Sequence, residues 1–288
     1  TDDIVIIPAF GTTVEIIELL TEKGLDIHTY NSTCPFVEKV WNRSTTLGDS
    51  DYTIVIHGKH EHEETKATFS HSRRNAPSIV VRDMHETQLL VDFLLGKMNR
   101  DELLRRFQHK ISKGFNPDQD LKKIGVVNQT TMLATETQEI ANLLYTTMVQ
   151  VHGQAAIQSH FADTRDTLCY ATNDNQSATL ELLKSEADLA VVVGGYNSSN
   201  TSHLVELLEQ KFVTYYIKNA DEIISRDEID AYDIHTATVH RHAAFLPEKD
   251  ALRIVMTSGA SCPDSTMDQV MQKILSVMNI PNIEDVIV

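Results

Sequence analysis

The sequence has few cysteines, few basic residues and no long apolar run, and each shortage excludes a class of protein. Three cysteines cannot all pair within one chain, and a chain of this size needs no disulfides to be stable, so a reducing compartment is expected. Lys and Arg number 25 against 41 Asp and Glu, and the net charge of −16 argues against nucleic acid and anionic membranes as partners. No apolar run reaches the roughly 20 residues that a membrane-spanning helix needs. These limits leave an acidic globular protein of 288 residues, long enough for two or three domains.

Short Val- and Ile-rich runs alternate with amphipathic stretches along most of the chain. The runs predict strands at residues 4–9, 52–57, 78–81, 124–128, 189–193, 213–217 and 253–257. The amphipathic stretches predict helices that include residues 35–44, 137–148, 175–183 and 202–210. This alternation predicts an α/β fold with parallel sheets and right-handed crossovers. Two polar regions interrupt it: residues 96–120, which predict an exposed helical insertion and loop, and residues 219–248.

Two cysteines lie in similar settings, each just ahead of a predicted helix. Cys34 precedes Pro35, and Cys169 precedes Tyr170-Ala171-Thr172. In α/β proteins the loops between strand ends and helices hold ligands, and a helix N-terminus favours the thiolate form of cysteine. The two thiols therefore suggest convergence on one soft-metal centre. The alternative is that each is a small buried hydrophobic side chain, which is our interpretation of Cys262.

The segment from His57 to Thr65 follows a predicted strand and combines three imidazoles, three carboxylates and one ammonium group. Such a cluster could bind zinc, hold a phosphate or supply a general acid. The zinc interpretation is the weakest of the three, because no two of these histidines have the helical i, i+4 spacing. A solvated helix start, with acidic residues complementing the helix dipole, explains the same residues.

A second polar segment, Gly194 to His203, also lies between a strand and a helix. Its glycines let a ligand approach the backbone, and its Ser and Asn side chains donate hydrogen bonds beside a helix N-terminus that favours anions. An N-cap would need one such residue rather than a run, so ligand binding is favoured. Residues 128–131 and 257–263 have the same character, and the combined donors suit a diphosphate.

Taken together, these segments resemble the LytB/IspH family of 4-hydroxy-3-methylbut-2-enyl diphosphate reductases, in their order and approximate spacing over nearly the whole chain. The matching segments are Thr33-Cys34-Pro35, His62-Glu63-Glu64, Gln129-Thr130-Thr131, Cys169-Tyr170-Ala171-Thr172, Asn197-Ser198-Ser199-Asn200 and Ser258-Gly259-Ala260-Ser261. The segments 8–11 and 39–42 and the insertion at 96–120 are similar to the longer, plant-type branch.

The resemblance implies three small parallel-sheet α/β domains around a central [4Fe-4S] cluster held by one cysteine from each domain. It implies domains at residues 1–34 (the remainder of the first), 35–168 and 169–262, followed by a C-terminal helix and tail at 263–288. The implied reaction is reductive dehydroxylation of 4-hydroxy-3-methylbut-2-enyl diphosphate to isopentenyl and dimethylallyl diphosphates. Ferredoxin or flavodoxin is the implied electron donor.

The resemblance also implies a role for each matching residue. Cys34 and Cys169 correspond to two of the three cluster ligands. Glu64 corresponds to the proton donor, and Thr130 to the residue that hydrogen-bonds near the substrate hydroxyl. The residues implied to hold the diphosphate are His62, Ser198, Ser199, Asn200 and Ser261.

The chain departs from the family pattern at two places. The family's first cysteine ligand and a diphosphate-binding histidine would precede Thr1, so the first domain is expected to be incomplete. Phe10 stands where many members place a histidine. Cys262 is a possible but disfavoured replacement ligand, since it neighbours Ser261. A non-catalytic diphosphate-binding remnant and a structural zinc protein are the competing interpretations, and the expected location is the bacterial cytoplasm or, for a processed chain, the plastid stroma.

Overall fold

The chain divides into two compact units, Thr1–Cys169 and Tyr170–Val288. The computed structural model describes residues 3–162, 167–249 and 251–280. In both units the buried Val- and Ile-rich runs form parallel strands and the amphipathic stretches form helices that cover them. The α/β class with parallel sheets predicted from the sequence is therefore confirmed.

The first unit is built on a four-stranded parallel sheet with the order β2-β1-β3-β4. Its strands are completely buried at β1 to β3, with helices on both faces. The described elements are, in chain order, α1 Val14–Glu22, α2 Pro35–Gly48, β1 Thr53–His57, α3 Glu63–Ser72, β2 Ser78–Val81, α4 Met84–Leu94, α5 Arg100–Arg106, α6 Pro117–Asp120, β3 Ile124–Asn128, α7 Ala134–His152, α8 Ile157–His160 and β4 Phe161–Ala162.

The second unit contains a three-stranded parallel sheet with the order β6-β5-β9 and a separate antiparallel hairpin formed by β7 and β8. The hairpin occupies the polar region that the sequence places at residues 219–248. The described elements are α9 Tyr170–Leu182, β5 Leu189–Val193, α10 Ser199–Leu208, β6 Thr214–Ile217, a 3-10 helix Ala220–Glu222, β7 Glu228–Asp233, β8 Thr238–Ala243, β9 Ile254–Ser258 and α11 Asp264–Val277.

The strand predicted at residues 4–9 does not form, and that prediction is wrong. Ile4 and Ile6 are 66% and 68% exposed, and the segment makes one isolated bridge, between Ile7 and Asn31. An apolar run becomes a strand only where a neighbouring strand takes up its backbone hydrogen bonds along its length. Here the backbone hydrogen bonds to residues 30–34 involve Ile7 and Ala9, and residues 30–34 are not themselves a strand.

The insertion at residues 96–120 is helical as predicted, but it is not exposed throughout. Leu103 and Phe107 are each 1% exposed and pack into the core beside Phe115 and Leu121. The segment contains the helix α5, whose two leucines, Leu103 and Leu104, pack against the core of the first unit. The prediction that this insertion is exposed is therefore wrong for its apolar residues.

Each parallel sheet has a point at which the connections leave in opposite directions. In the first unit the chain goes from β1 outward to β2 and then returns to the other side of β1 to form β3. In the second unit it goes from β5 to β6 and returns to form β9. The loops after β1 and β3, and after β5 and β9, consequently diverge and leave a crevice, which is where open α/β sheets bind ligands.

The described part of the chain has no helix that is both long and apolar enough to cross a membrane. The three-domain boundaries and the arrangement around a central cluster remain predictions.

Candidate active site

A buried carboxyl group occupies the crevice between β1 and β3 in the first unit. Glu64 lies in the first turn of α3 and is 3% exposed, and its Oε1 accepts a hydrogen bond from the Thr130 amide at 2.5 Å. Burial raises the pKa of the Glu64 carboxyl from 4.5 to about 7, although the hydrogen bonds from Thr130 act in the opposite direction. A carboxyl group with this pKa can hold and deliver a proton near neutral pH.

Gln129 links the loop after β1 to the loop after β3 through side-chain hydrogen bonds. Its Oε1 accepts hydrogen bonds from Thr65 Oγ1 at 2.9 Å and from the Lys59 amide at 3.2 Å, while its Nε2 donates to Thr131 Oγ1 at 2.8 Å. A Cβ atom at Gly58 would lie 2.6 Å from Thr65 Oγ1, so glycine is the residue that lets α3 approach so closely. This network fixes where Glu64 meets Thr130.

His62 caps the helix that carries Glu64. Its Nδ1 accepts a hydrogen bond from the Glu64 amide at 3.2 Å, which leaves the proton of the neutral ring on Nε2. Burial, followed by the positive charge of Lys59, lowers the pKa of His62. The residue therefore serves the N-cap function that the solvated-helix interpretation expects, and it still presents an N–H group that could donate to an anion.

Cys34 lies at the same edge of this sheet. It is the N-cap of α2, with Pro35 as the first helical residue, and its side chain makes no capping hydrogen bond. The last turn of α2 packs at the start of the strands, since a Cβ on Gly125 in β3 would lie 2.8 Å from Leu47 Cδ1. The helix thus runs opposite to the strands, and its N-terminus with Cys34 lies where the strands end.

Cys169 is held near this edge by the end of β3. Thr167, two residues before it, donates a hydrogen bond from its hydroxyl group to Asn128 Oδ1, and the Asn128 Nδ2 donates to the Gln129 carbonyl at 2.9 Å. Both Cys34 and Cys169 are half-buried free thiols. Two accessible thiols, each immediately before a helix, fit two thiolate ligands of an iron–sulfur cluster.

The surroundings of Cys262 do not favour a thiolate. Burial, followed by the charge of Asp264, raises the pKa of its thiol. Its Sγ lies 3.7 Å from the Pro263 carbonyl, as a weak donor. Within the described ranges, no three His, Cys, Asp or Glu side chains are placed to hold a metal ion.

In the second unit, Thr201 brings the loops after β5 and β9 together. A Cβ atom at Gly194 would lie 2.6 Å from Thr201 Oγ1, and one at Gly259 would lie 2.1 Å from the same atom. The Gly259 amide also donates to the Val193 carbonyl at 3.0 Å. Thr201 is fully buried between the two glycines. The segments that carry Ser198 and Ser261 are thereby held side by side.

The start of α10 combines a helix cap with polar groups that have no partner. Ser198 is the N-cap, and its Oγ accepts from the Thr201 amide at 3.3 Å and from the Thr201 hydroxyl at 3.0 Å. Asn200 is 4% exposed, and neither its Oδ1 nor its Nδ2 has a hydrogen-bond partner among the described residues. A buried polar atom without a partner costs about 1–3 kcal/mol, so this side chain is arranged for a ligand rather than for the fold alone. Ser199 is buried beside it, and Ser261 is exposed.

Tyrosine side chains support the loop after β5. Tyr216 Oη donates to the Gly195 carbonyl at 2.5 Å, and burial raises the pKa of this hydroxyl to about 12, which keeps it a donor. The Tyr196 ring stacks on Tyr232 with centroids 4.4 Å apart, and its hydroxyl donates to Glu222 at 2.5 Å. The loop that presents the Ser and Asn donors is therefore held in place by the Tyr216 and Tyr196 hydrogen bonds.

The structure places every predicted site residue at one of the two crevices. Those of the first unit are Cys34, His62, Glu64, Thr130 and Cys169, and those of the second are Ser198, Ser199, Asn200 and Ser261. Sequence reasoning included Asn128, Gln129 and Thr201 in its candidate ligand-binding segments but did not recognise that they join the loops, and it assigned no role to Thr167. The signal for Asn128 and Gln129 was their position at the end of a buried strand, and the signal for Thr201 was the polar run that leads into α10, but neither signal identifies the partners.

Comparison with known proteins identifies the family. Residues 1–275 match the model of the LytB protein family. A 4-hydroxy-3-methylbut-2-enyl diphosphate reductase from Synechococcus sp. strain WH7803 is 41% identical over 275 residues, which are 96% of this chain and 67% of the relative. A reductase of the same name from Nostoc punctiforme is 38% identical over 278 residues, or 96% of this chain and 67% of the relative. The chain thus spans about two thirds of the length of these relatives.

Solved structures show the same fold. The E-1-hydroxy-2-methyl-but-2-enyl-4-diphosphate reductase of Plasmodium falciparum aligns with a TM-score of 0.64 and 21% identity, over 94% of this chain and 67% of that one. A second structure, of (E)-4-hydroxy-3-methyl-but-2-enyl diphosphate reductase, aligns with a TM-score of 0.50 and 23% identity, over 96% of this chain and 76% of that one. With the family model matching nearly the whole sequence, the chain belongs to the LytB family.

Proposed function

We propose that this chain carries out the reductive dehydroxylation of 4-hydroxy-3-methylbut-2-enyl diphosphate, giving isopentenyl and dimethylallyl diphosphates. The observation that carries the proposal is the Glu64 carboxyl group, which is buried at a ligand-binding crevice with a pKa of about 7. The names of the relatives, at about 40% identity over 96% of the chain, support the same activity.

The reaction replaces a carbon–oxygen bond with a carbon–hydrogen bond. Two electrons and two protons enter, the hydroxyl group leaves as water, and one hydrogen remains on the product. Glu64 delivers a proton to the leaving hydroxyl group, because below a pH of about 7 it carries one in a setting that excludes water. The Thr130 amide holds the carboxyl group in place, and its hydroxyl group hydrogen-bonds near the substrate hydroxyl.

Neutral donors hold the diphosphate. Asn200, with no partner of its own among the described residues, binds it together with the Ser198, Ser199 and Ser261 hydroxyl groups at the N-terminus of α10. His62 donates from Nε2, since its Nδ1 is occupied by the Glu64 amide. These contacts recognise the anion without placing a fixed positive charge beside it.

Cys34 and Cys169 hold a [4Fe-4S] cluster in this proposal. The cluster, when bound, supplies the electrons and a Lewis-acidic iron for the substrate hydroxyl. Cys34 and Cys169 are the two matching cysteines, and the raised pKa of Cys262 argues against that residue as a further ligand. Ferredoxin or flavodoxin is proposed as the electron donor, and the bacterial cytoplasm or the plastid stroma as the location.

A second candidate function is a diphosphate-binding protein that lacks the cluster. The observation that favours it is that the described residues bring no three possible metal-binding side chains together, while Ser and Asn groups at a helix N-terminus need no metal to bind an anion.

Anaerobic iron and sulfide analysis with an EPR spectrum separates the two candidates. The 288-residue chain and the protein expressed from its complete reading frame are compared, each with Cys34→Ser, Cys169→Ser and Cys262→Ser variants. We expect about four irons in the complete protein, their loss in the first two variants and their retention in the third. No iron in any form, together with diphosphate binding, would replace the reductase with the binding protein. Iron lost only in Cys262→Ser would reassign the ligands.

A further inference from the structure

A second buried side chain on α10 has a polar atom without a hydrogen-bond partner among the described residues. His203 is 3% exposed, and its Nε2 makes no hydrogen bond within the described part of the chain. It follows Asn200 by three residues and Ser199 by four, and residues at these spacings lie on one face of a helix. The unsatisfied atoms of Asn200 and His203 therefore belong to side chains on the same face of α10, close to the helix N-terminus.

The other ring nitrogen of His203 is already engaged. Its Nδ1 lies 2.7 Å from Glu206 Oε2, one turn further along α10. A carboxylate at this distance holds a proton on Nδ1, so that a second proton on the ring must be on Nε2, the atom without a partner. When the ring carries both protons, the Glu206–His203 pair therefore presents a charged N–H donor at Nε2 to a further group.

The loops around the start of α10 lack other side chains that can carry a positive charge. Residues 194–208 contain no Lys or Arg, and neither do residues 258–263, which form the adjacent loop. In these two segments His203 is the one side chain that can carry a positive charge. Hydroxyl and amide donors can orient a diphosphate, but a charged donor hydrogen-bonds to an anion about twice as strongly as a neutral one.

We propose that His203 is a further substrate-binding residue, which donates from Nε2 to a phosphoryl oxygen next to Asn200 while Glu206 fixes its ring. The inference rests on the proposed function, because it takes the diphosphate of that substrate as the ligand. It adds to the site a charged group that the polar run from Ser198 to Asn200 does not contain.

The test is the dissociation constant of inorganic pyrophosphate, measured by anaerobic calorimetry on the complete cluster-loaded protein. A hydrogen bond to a charged group corresponds to a loss of about 10- to 100-fold in affinity, which we expect for His203→Leu. His203→Gln keeps a donor close to the position of Nε2 and is expected to lose about threefold or less. The control is His235→Leu, because His235 makes the same kind of pair with Glu209 at 3.0 Å on an exposed part of the unit.

The outcomes distinguish a failure of the His203 inference from a failure of the proposed function. Unchanged affinity in His203→Leu, while the wild type binds pyrophosphate and reduces its substrate, would overturn the inference alone. An equal loss in His203→Gln and His203→Leu would assign the residue a structural role and also overturn it. No pyrophosphate binding by the wild type would overturn both. Thermal unfolding of each variant, followed by circular dichroism, verifies that the comparison is made between folded proteins.

Discussion

Replacing Glu64 with Gln should make the stability of the first unit less dependent on pH. Glutamine has the same shape, and its Oε1 can still accept the hydrogen bond that the Thr130 amide donates at 2.5 Å. It cannot ionise, so the cost of burying a carboxylate disappears. We therefore expect Glu64→Gln to be clearly more stable than the wild type at a pH of about 8.5 and to differ little from it near a pH of about 4.

The magnitude follows from the pKa of the buried carboxyl group. In the unfolded chain Glu64 titrates at its ordinary value of 4.5, and in the folded protein at about 7. Between these values the folded state holds a proton that the unfolded state has released, so the wild type loses stability as the pH rises from 4.5 through 7. The difference, at about 1.4 kcal/mol for each pH unit, amounts to about 3 kcal/mol.

Urea unfolding followed by tryptophan fluorescence is suited to this measurement. Trp41 is the only tryptophan in the sequence, and its ring stacks on His71 of α3, the helix that begins beside Glu64. The emission therefore reports on the unfolding of the first unit. Glu63→Gln is the matched control, since Glu63 is the exposed neighbour that pairs with Lys66 at 2.7 Å.

The reasoning is refuted if the free energies of unfolding of wild type and Glu64→Gln differ by the same amount at the acidic and the alkaline pH. Such parallel behaviour would mean that the folded protein does not hold the proton on Glu64. The assignment of Glu64 as proton donor would then lose its physical basis, even if the variant were inactive. A pH-dependent difference that also occurred in Glu63→Gln would point to the charge of the helix start instead.

Three further predictions concern the loops and their supports. Gly259→Ala should lower the free energy of unfolding of the second unit by about 1–3 kcal/mol through its clash with Thr201 Oγ1, and adding Thr201→Ala should restore most of it in thermal melts. Tyr216→Phe should raise the hydrogen-exchange rate of the amides in the loop after β5 about fivefold, as the loss of a hydrogen bond of about 1 kcal/mol predicts. Gly11→Ala should destabilise the first unit more than Gly24→Ala by tryptophan-monitored unfolding, because both glycines have positive φ but only a Cβ at Gly11 would meet a ring, at 2.4 Å.

The sequence predicted the strands well wherever both faces of the sheet are covered. The runs at residues 78–81, 124–128 and 189–193 coincide with β2, β3 and β5, because a parallel strand that is buried on both faces is apolar at nearly every position. The same rule failed at residues 4–9, where the apolar run has no neighbouring strand among the described residues. Composition alone cannot tell a paired run from an unpaired one.

The contacts that build the crevices could not be predicted in the same way. Thr65 and Gln129 are 64 residues apart, and Asn128 and Thr167 are 39 residues apart. Each looks locally like an ordinary helix-cap or turn residue, and only the strand order brings it to its partner. The two cysteines were placed correctly ahead of helices because that feature depends on a few adjacent residues, such as Pro35 at the first position of α2.

To bind the proposed diphosphate, an acidic chain has to keep negative charge out of its binding crevices, and the two units differ in how they do so. The first buries a carboxyl group so completely that its pKa of about 7 leaves Glu64 largely uncharged in mildly acidic solution. The second uses serine and asparagine donors at a helix N-terminus, in segments that contain no Lys or Arg. The net charge of −16 therefore resides elsewhere on the surface, where solvent and salt screen it. In the proposed function, recognition of the anion therefore depends on local dipoles and on individual donors such as Asn200, rather than on the overall charge of the protein.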